Sequence, residues 1–419
     1  MTTTLITNVR VIDAQTDVIK DVFIKDGKFS EMPEALKADE VIDGRGLQLF
    51  PGCIDPHVHF REPGFEYKED LESGSRAAVS AGVTSFFDMP NTDPPTFTRE
   101  LLADKKALAQ GRSWAHYGFY FGSGPDNQSE IEQVEGIPGT KLYLNTTTGN
   151  LRMDNEDRWR EIFKVGKPVA LHAEGPVFQR AVDVWLEEGS PCHLHLCHAS
   201  LRREVELVRT IKKNSSLKSI ISIEVCPHHL FMTHEDREKH GAFCCMKPEL
   251  ATQDDLDAMW EGVEDGTIDF FATDHAPHTK AEKDLMMQYW PEPKHVFYGI
   301  PGVETFFPLL YTEFVKRQYD LRLLSAMTSA NTFKNFKVTN KQGLIKNGYE
   351  ADFFMYDPTI KKTVKATELQ SKCEWTPFEG YPLTGQLQST WVKGQLKFAH
   401  NKFMGTANGE ALIFQALPL

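Results

Sequence analysis

Between Pro51 and about Asn340 the chain alternates short apolar runs, rich in β-branched and aromatic residues, with longer stretches whose apolar positions recur at helical spacing. The short runs predict eight strands: GCIDPHVHF, VTSFFDMP, HYGFYFG, TKLYLN, PVALHAEG, HLHLCHAS, IISIEVCPHH and TIDFFATDHA. Between them, stretches such as EDLESGSRAAVSAG, NEDRWREIFKVG and TQDDLDAMWEGVEDG open on acidic or capping residues and close on glycine, which predicts helices. Eight strands separated by helices specify an α/β fold of the (β/α)8 TIM-barrel type. The flanks lack this alternation. Residues 1–50 (LITNVRVID, DVFIKDGKFSEM, EVIDGRGLQLF) and residues 343–419 (GLIKNGYEADFFMYD, STWVKGQLKFAHNKF, EALIFQ) are strand-like pieces broken by tight turns. Neither flank has enough strands to close a core alone. The expected division is therefore an accessory β-sandwich built from residues 1–50 and 343–419 beside a catalytic barrel of residues 51–342.

Charge and composition narrow the function class. The formal net charge is -13 over 419 residues, with no lysine-rich or arginine-rich run, which argues against nucleic acid or an anionic membrane as partner. A small-molecule substrate fits better. The start MTTTLITNVRVIDAQ lacks a basic stretch leading into an apolar one, and no apolar run approaches the roughly 18 residues of a membrane span, so a cytoplasmic location is expected. Seven scattered cysteines, with Cys244 and Cys245 adjacent and no CxxC pair, read as reduced thiols and not as a disulfide framework or a structural zinc site.

Chemistry in such a barrel sits at the carboxyl ends of the strands. His57 and His59 fall at the end of the first strand, Lys141 within the fourth, His172 and His198 at the ends of the fifth and sixth, and Asp274 at the end of the eighth. Residues two apart on a strand share a face, so His57 and His59 can bind one ion; a pair of hydrogen-bonded histidines near the surface is the alternative. Nitrogen and oxygen donors suit zinc, and manganese or cobalt would accept the same set. Five such ligands are too many for one open catalytic zinc and suit two metals that share a bridge. A lysine facing two dications is pushed toward its neutral form by desolvation and like charge, and a neutral amine can add carbon dioxide to give a bridging carbamate. Otherwise Lys141 snorkels to solvent.

The segments PGCIDPHVHFREPG, DMPNT, KLYLN, LHAEG, HLCHAS, EVCPHHL, KPEL, ATDHAPH and GIPGVET, in this order, resemble the dihydroorotase family of the amidohydrolase superfamily. The resemblance is to the branch with a carboxylated lysine, which includes a domain of the animal multifunctional pyrimidine enzyme. It implies two Zn2+ ions per subunit, the first on His57, His59 and Asp274, the second on His172 and His198, bridged by N6-carboxylated Lys141. It further implies that Arg61, Asn91 and His278 bind the substrate carboxylate, with the backbone around Pro301 and Gly302 against the pyrimidine ring. Lys247 stands where the animal domain has an arginine, which leaves its substrate contact open. Cys197 and Glu224 match positions near an additional metal in the animal enzyme; a buried thiol and a glutamate orienting a histidine explain them equally well. Thr147 and Thr148, in NTTTGN, lie where the family carries a mobile loop that closes on substrate, with a plain surface loop as the alternative. Cys226, His228 and His229 read as seventh-strand packing and polar groups behind the ligands, and His195 as facing another layer.

The implied reaction is the reversible cyclisation of N-carbamoyl-L-aspartate to L-dihydroorotate in pyrimidine (UMP) synthesis, through a hydroxide between the zincs with Asp274 as general acid and base. Arg61, if strand geometry persists two residues beyond His59, faces the substrate, and a guanidinium grips a planar carboxylate as a lysine cannot. Hydantoinases and allantoinases share the HxH opening but are expected to lack this arginine. The other readings are therefore an allantoinase or dihydropyrimidinase, or a catalytically inactive relative that serves as a partner of aspartate transcarbamoylase. No ligand is missing, as it would be in the last. A homodimer is implied by the resemblance.

Overall fold

The computed structural model of the protein describes residues 3–34, 38–147, 151–341 and 343–415, so Thr148 lies outside the described residues. All eight expected strands are present: Cys53–Val58, Val83–Asp88, His116–Phe119 continued by Phe121–Gly122, Thr140–Tyr143, Val169–His172, Leu194–Leu196, Ile221–Val225 and Phe270–Phe271. Neighbours pair in parallel around the barrel. The expected helices follow them, as in Leu71–Ser80, whose N-terminus is closed by reciprocal bonds between Asp70 and Ser73. Among the described residues no helix is long and apolar enough to cross a membrane.

Alternation along the strands divides the barrel interior into layers. Ile54, Phe87, Ala170 and Phe270 fill the lower interior with Tyr120, closed from beneath by Phe333 and Phe336. Polar residues occupy the next layer up, two positions later on several strands: His172 follows Ala170, and Glu224 follows Ser222.

Closure depends on the first and eighth strands. Asp55 Oδ1 accepts from the Thr273 and His57 amides at 3.0 and 3.2 Å, and Thr273 Oγ1 donates to Asp55 Oδ2 at 2.5 Å. Above this clasp Val58 bridges His275, and the His59 amide donates to the His275 carbonyl at 2.8 Å. Asp55 is fully buried, and burial pushes its carboxyl up to about 7.

The two chain ends meet in one β-rich unit. Thr3–Ile12 pairs with Asp17–Lys25, Glu40–Asp43 and Gln48–Pro51, and Gln48–Pro51 pairs antiparallel with Phe353–Thr363 from the far end of the chain. Pro382–Val392 and the strands after it extend the same path, giving nine hydrogen-bonded strands in the expected β-rich unit beside the barrel. Val9, Ile24, Leu49, Phe353 and Trp391 contribute to its own apolar core.

The segment after residue 343 also packs on the barrel. Val364, Trp375 and Phe378 pack on Met246, Leu250 and Leu309 of the barrel side. Residues 409–414 return to the third barrel strand: the Tyr117 amide donates to Glu410 O, and the Leu412 amide to Tyr117 O. The cause is a break at Tyr120, because His116–Phe119 pairs only with the second strand and leaves its other edge needing partners.

Replacing Asp55 with Ala strips the acceptor from two buried amides and a hydroxyl at the closure point. Stability is expected to fall by about 2–5 kcal/mol, read as a lowered urea midpoint with an unchanged slope; a loss below about 1 kcal/mol would mean the clasp contributes little.

Candidate metal centre and substrate cleft

His57, His59 and Asp274 meet at the barrel mouth. His57 Nε2 and His59 Nε2 lie 3.3 and 2.9 Å from the same atom, Asp274 Oδ1. The other ring nitrogens are engaged behind: His57 Nδ1 is 2.6 Å from Glu224 Oε1, and His59 Nδ1 is 2.7 Å from Asn91 Oδ1. Each oxygen can only accept, so each imidazole donates through Nδ1 and turns its Nε2 toward the carboxylate. Burial, reinforced by Lys141 and the neighbouring histidines, holds His57 well below its ordinary pKa and therefore neutral. Potential ligand atoms converging in this way fit a cation between them.

A second such place lies across the cleft. His172 Nδ1 and His198 Nε2 are 2.8 Å apart, and both rings are buried, with burial drawing their pKa values down. Lys141 lies between the two places, fully buried, its Nζ 3.0 Å from Cys197 Sγ and 5.3 Å from the centre of the Tyr143 ring. It does not snorkel, and among the described residues it forms no ion pair. His57, Cys197 and Glu224 also bring potential ligand atoms within 4.8 Å of one another, as do His57, His198 and Asp274.

Three site residues stand in left-handed backbone without being glycine: Arg61 at φ 68°, His198 at 38° and Asp274 at 48°. Such conformations cost of order 1–3 kcal/mol each and persist where surrounding structure holds them. Arg61 is therefore not on a continuing strand. The strand stops at Val58, and the turn at Arg61 re-aims its side chain. The guanidinium is buried, its Nε has no partner among the described residues, and its Nη2 lies 3.3 Å from His278 Nε2. Burial draws its pKa down against the attraction of Asp274, Asp88 and Glu282. A buried cation with an unused N–H is a seat for an anion.

The cleft is lined by His59, Arg61, Asn91, Thr147, Lys247 and Asp274, with Tyr298 and Gly299 on the far wall. Pro301 and Gly302 are set back from it. The Gly302 amide donates to His275 Nδ1 at 3.0 Å, and both residues line a separate cavity with His275 and Glu304. Lys247 Nζ is 3.6 Å from Glu174 Oε2 and 3.3 Å from Glu249 Oε1. His228 and His229 are not on the seventh strand but in the short helix Pro227–Phe231; Pro227 at its first turn is a start signal legible in the sequence.

Other residues gain their roles only in three dimensions. His195 lies in another layer as expected, level with Ala170 and Ser222 and stacked on Phe270, and its Nε2 reaches Glu224 Oε2 at 3.0 Å, so one carboxylate holds both His195 and His57. Against burial, Glu224 raises the His195 pKa to about 9, which leaves the ring charged at neutral pH. Glu174 places Oε1 3.4 Å from His172 Nε2. Asp274 is pushed up by burial, but the hydrogen bond and charge of His59, with His228 and Lys141 behind, hold it below the ordinary carboxylate value.

Residues 48–397 match the amidohydrolase family. A dihydroorotase from Methanosarcina acetivorans is 32% identical over 401 residues, spanning 86% of this chain and 84% of that protein. One from Lactobacillus gasseri is 33% identical over 418 residues, spanning 90% and 94%. Among solved structures, L-hydantoinase (dihydropyrimidinase) from Arthrobacter aurescens superposes with a TM-score of 0.91 at 25% identity, covering 99% of this chain and 100% of that one.

Glu224→Ala removes the acceptor for His57 Nδ1, His195 Nε2 and the His198 amide together. The protein is expected to lose about 3–5 kcal/mol, measured by denaturant unfolding, because a charged imidazole is left buried and unpaired. A change below about 1 kcal/mol would show that Glu224 does not hold this layer.

Proposed function

The chain belongs to the amidohydrolase family, in its dihydroorotase branch, and on that premise we propose that it interconverts N-carbamoyl-L-aspartate and L-dihydroorotate by closing and opening a cyclic amide. This serves pyrimidine nucleotide synthesis. The observation that carries the reading is Arg61, a buried guanidinium whose Nε–H has no partner among the described residues, at a cleft that also holds Asp274. A cyclic diamide without a carboxylate would leave that charge unpaired.

The donor set fits divalent ions, zinc first among the candidates: His57, His59 and Asp274 would hold one, His172 and His198 a second, and Lys141, if carboxylated, would contribute oxygens to both. Ions held there supply Lewis acidity for the amide carbonyl and acidify the attacking water, bringing its proton within reach of a carboxylate. Arg61, His278 and Asn91 hold the substrate carboxylate and so fix which amide is presented. Asp274, anionic at neutral pH, takes the proton from the attacking water on a carboxylate oxygen. It returns that proton to the ring nitrogen as the C–N bond breaks. In the biosynthetic direction protonated Asp274 donates to the departing water. Thr147, at the start of the loop beside the cleft, supplies a hydroxyl to the bound ligand.

Arg61→Met is expected to keep its metal content, measured by elemental analysis, while kcat/KM for L-dihydroorotate falls at least about 100-fold. Near-normal turnover would remove Arg61 from the substrate grip. Asp274→Ala, assayed in excess zinc, should lose about 10²–10⁴-fold in kcat with binding of dihydroorotate far less affected. Unchanged kcat would rule it out as the proton carrier.

A further inference from the structure

Lys68 belongs to the loop between the first barrel strand and helix Leu71–Ser80 and is 5% exposed. Its Nζ lies 2.9 Å from Glu282 Oε1 and 3.1 Å from His278 Nδ1, within a cage of the Phe65, Tyr67 and Phe297 rings. An ammonium offers donors and no acceptor, so the contact with His278 requires a lone pair on Nδ1. A neutral imidazole then carries its proton on Nε2. On the opposite side of the ring Nε2 is 2.9 Å from the Tyr298 carbonyl, which can only accept, and 3.3 Å from Arg61 Nη2, which can only donate; the shorter contact agrees with a proton on Nε2. The ring is neutral because burial and the nearby charges of Arg61, Lys283 and Lys68 outweigh Glu282 and hold its pKa well below the ordinary value. With the proton on Nε2, His278 and Arg61 Nη2 are two donors 3.3 Å apart, and an anion beside them can take the Nε2–H as a three-centre bond shared with the Tyr298 carbonyl.

We propose that Lys68, anchored by Glu282, is the positioning residue that fixes the Nε2–H tautomer of His278 and so makes this histidine a donor to the substrate carboxylate. The proposal rests on the reading of Arg61 and His278 as the carboxylate grip. Without Lys68, Glu282 Oε2, 3.6 Å from Nδ1, draws the proton to that nitrogen. A bare Nε2 then faces both the Tyr298 carbonyl and the incoming carboxylate, and repels both.

The test uses the metal-loaded enzyme. In Lys68→Met, KM for L-dihydroorotate is expected to rise about 10–100-fold at pH 8 while kcat stays within about threefold. The defect should shrink toward pH 6, since loss of the Lys68 charge beside Glu282 lets His278 take up a second proton and regain its Nε2 donor. An unchanged KM, or a defect of equal size at both pH values, would overturn the proposal. If the variant does not fold, nitrogen NMR of histidine-labelled wild type decides the matter, with the His278 signal identified by its loss in His278→Asn. An Nε2–H ring supports the proposal and an Nδ1–H ring contradicts it. Should Arg61→Met and His278→Asn leave KM untouched, the carboxylate grip itself fails; should they raise it while Lys68→Met does not, only the role of Lys68 fails.

Discussion

Closure of the barrel between its first and eighth strands is the constraint on which the site depends. The donors of the first metal place come from residues 57, 59 and 274, and nothing local in the sequence brings them together. The Asp55–Thr273 clasp and the pairing of Val58 and His59 with His275 do so, setting two imidazoles against one carboxylate oxygen. These bonds lie in a fully buried layer, where each satisfied amide counts for more than it would at the surface. The same closure carries His278 and the loop to Tyr298 over to Arg61.

Above the closure, the site consists of groups whose preferred partners are withheld. Two imidazole nitrogens crowd one carboxylate oxygen, two histidine nitrogens face each other, and among the described residues the Arg61 Nε–H has no acceptor. Left-handed backbone at Arg61, His198 and Asp274 adds strain at the same positions. The surrounding structure offsets these costs with buried bonds that aim the groups: Glu224 behind His57, Asn91 behind His59, and Asp88, itself paired with Lys105, holding the Phe60 amide. Groups arranged in this way are ready for cations and an anionic substrate without further movement of the barrel.

Much of this was legible in the chain. Strand period and glycine punctuation gave all eight strands and the helices after them, because burial on one face leaves a period in the sequence. Once the barrel is assumed, the convergence of His57, His59, His172, His198 and Asp274 follows from their places at strand ends. What escaped depends on single contacts. Pro63 and Gly64 mark a turn after Arg61, but nothing in the sequence says that Arg61 itself takes the left-handed backbone. Lys68, Glu174, Glu282 and His195 look like ordinary charged or polar residues until a partner distant in sequence is beside them. The return of residues 409–414 to the third strand answers an edge left open by a break at Tyr120, a fault in register that composition does not record.

Steady-state kinetics of the zinc-loaded wild-type protein on L-dihydroorotate, hydantoin and dihydrouracil, side by side, bear most directly on the central claim. A cleft built around a buried guanidinium should favour L-dihydroorotate by at least about 10³-fold in kcat/KM, since rings without a carboxylate leave Arg61 unpaired. Equal or faster turnover of hydantoin or dihydrouracil would contradict it.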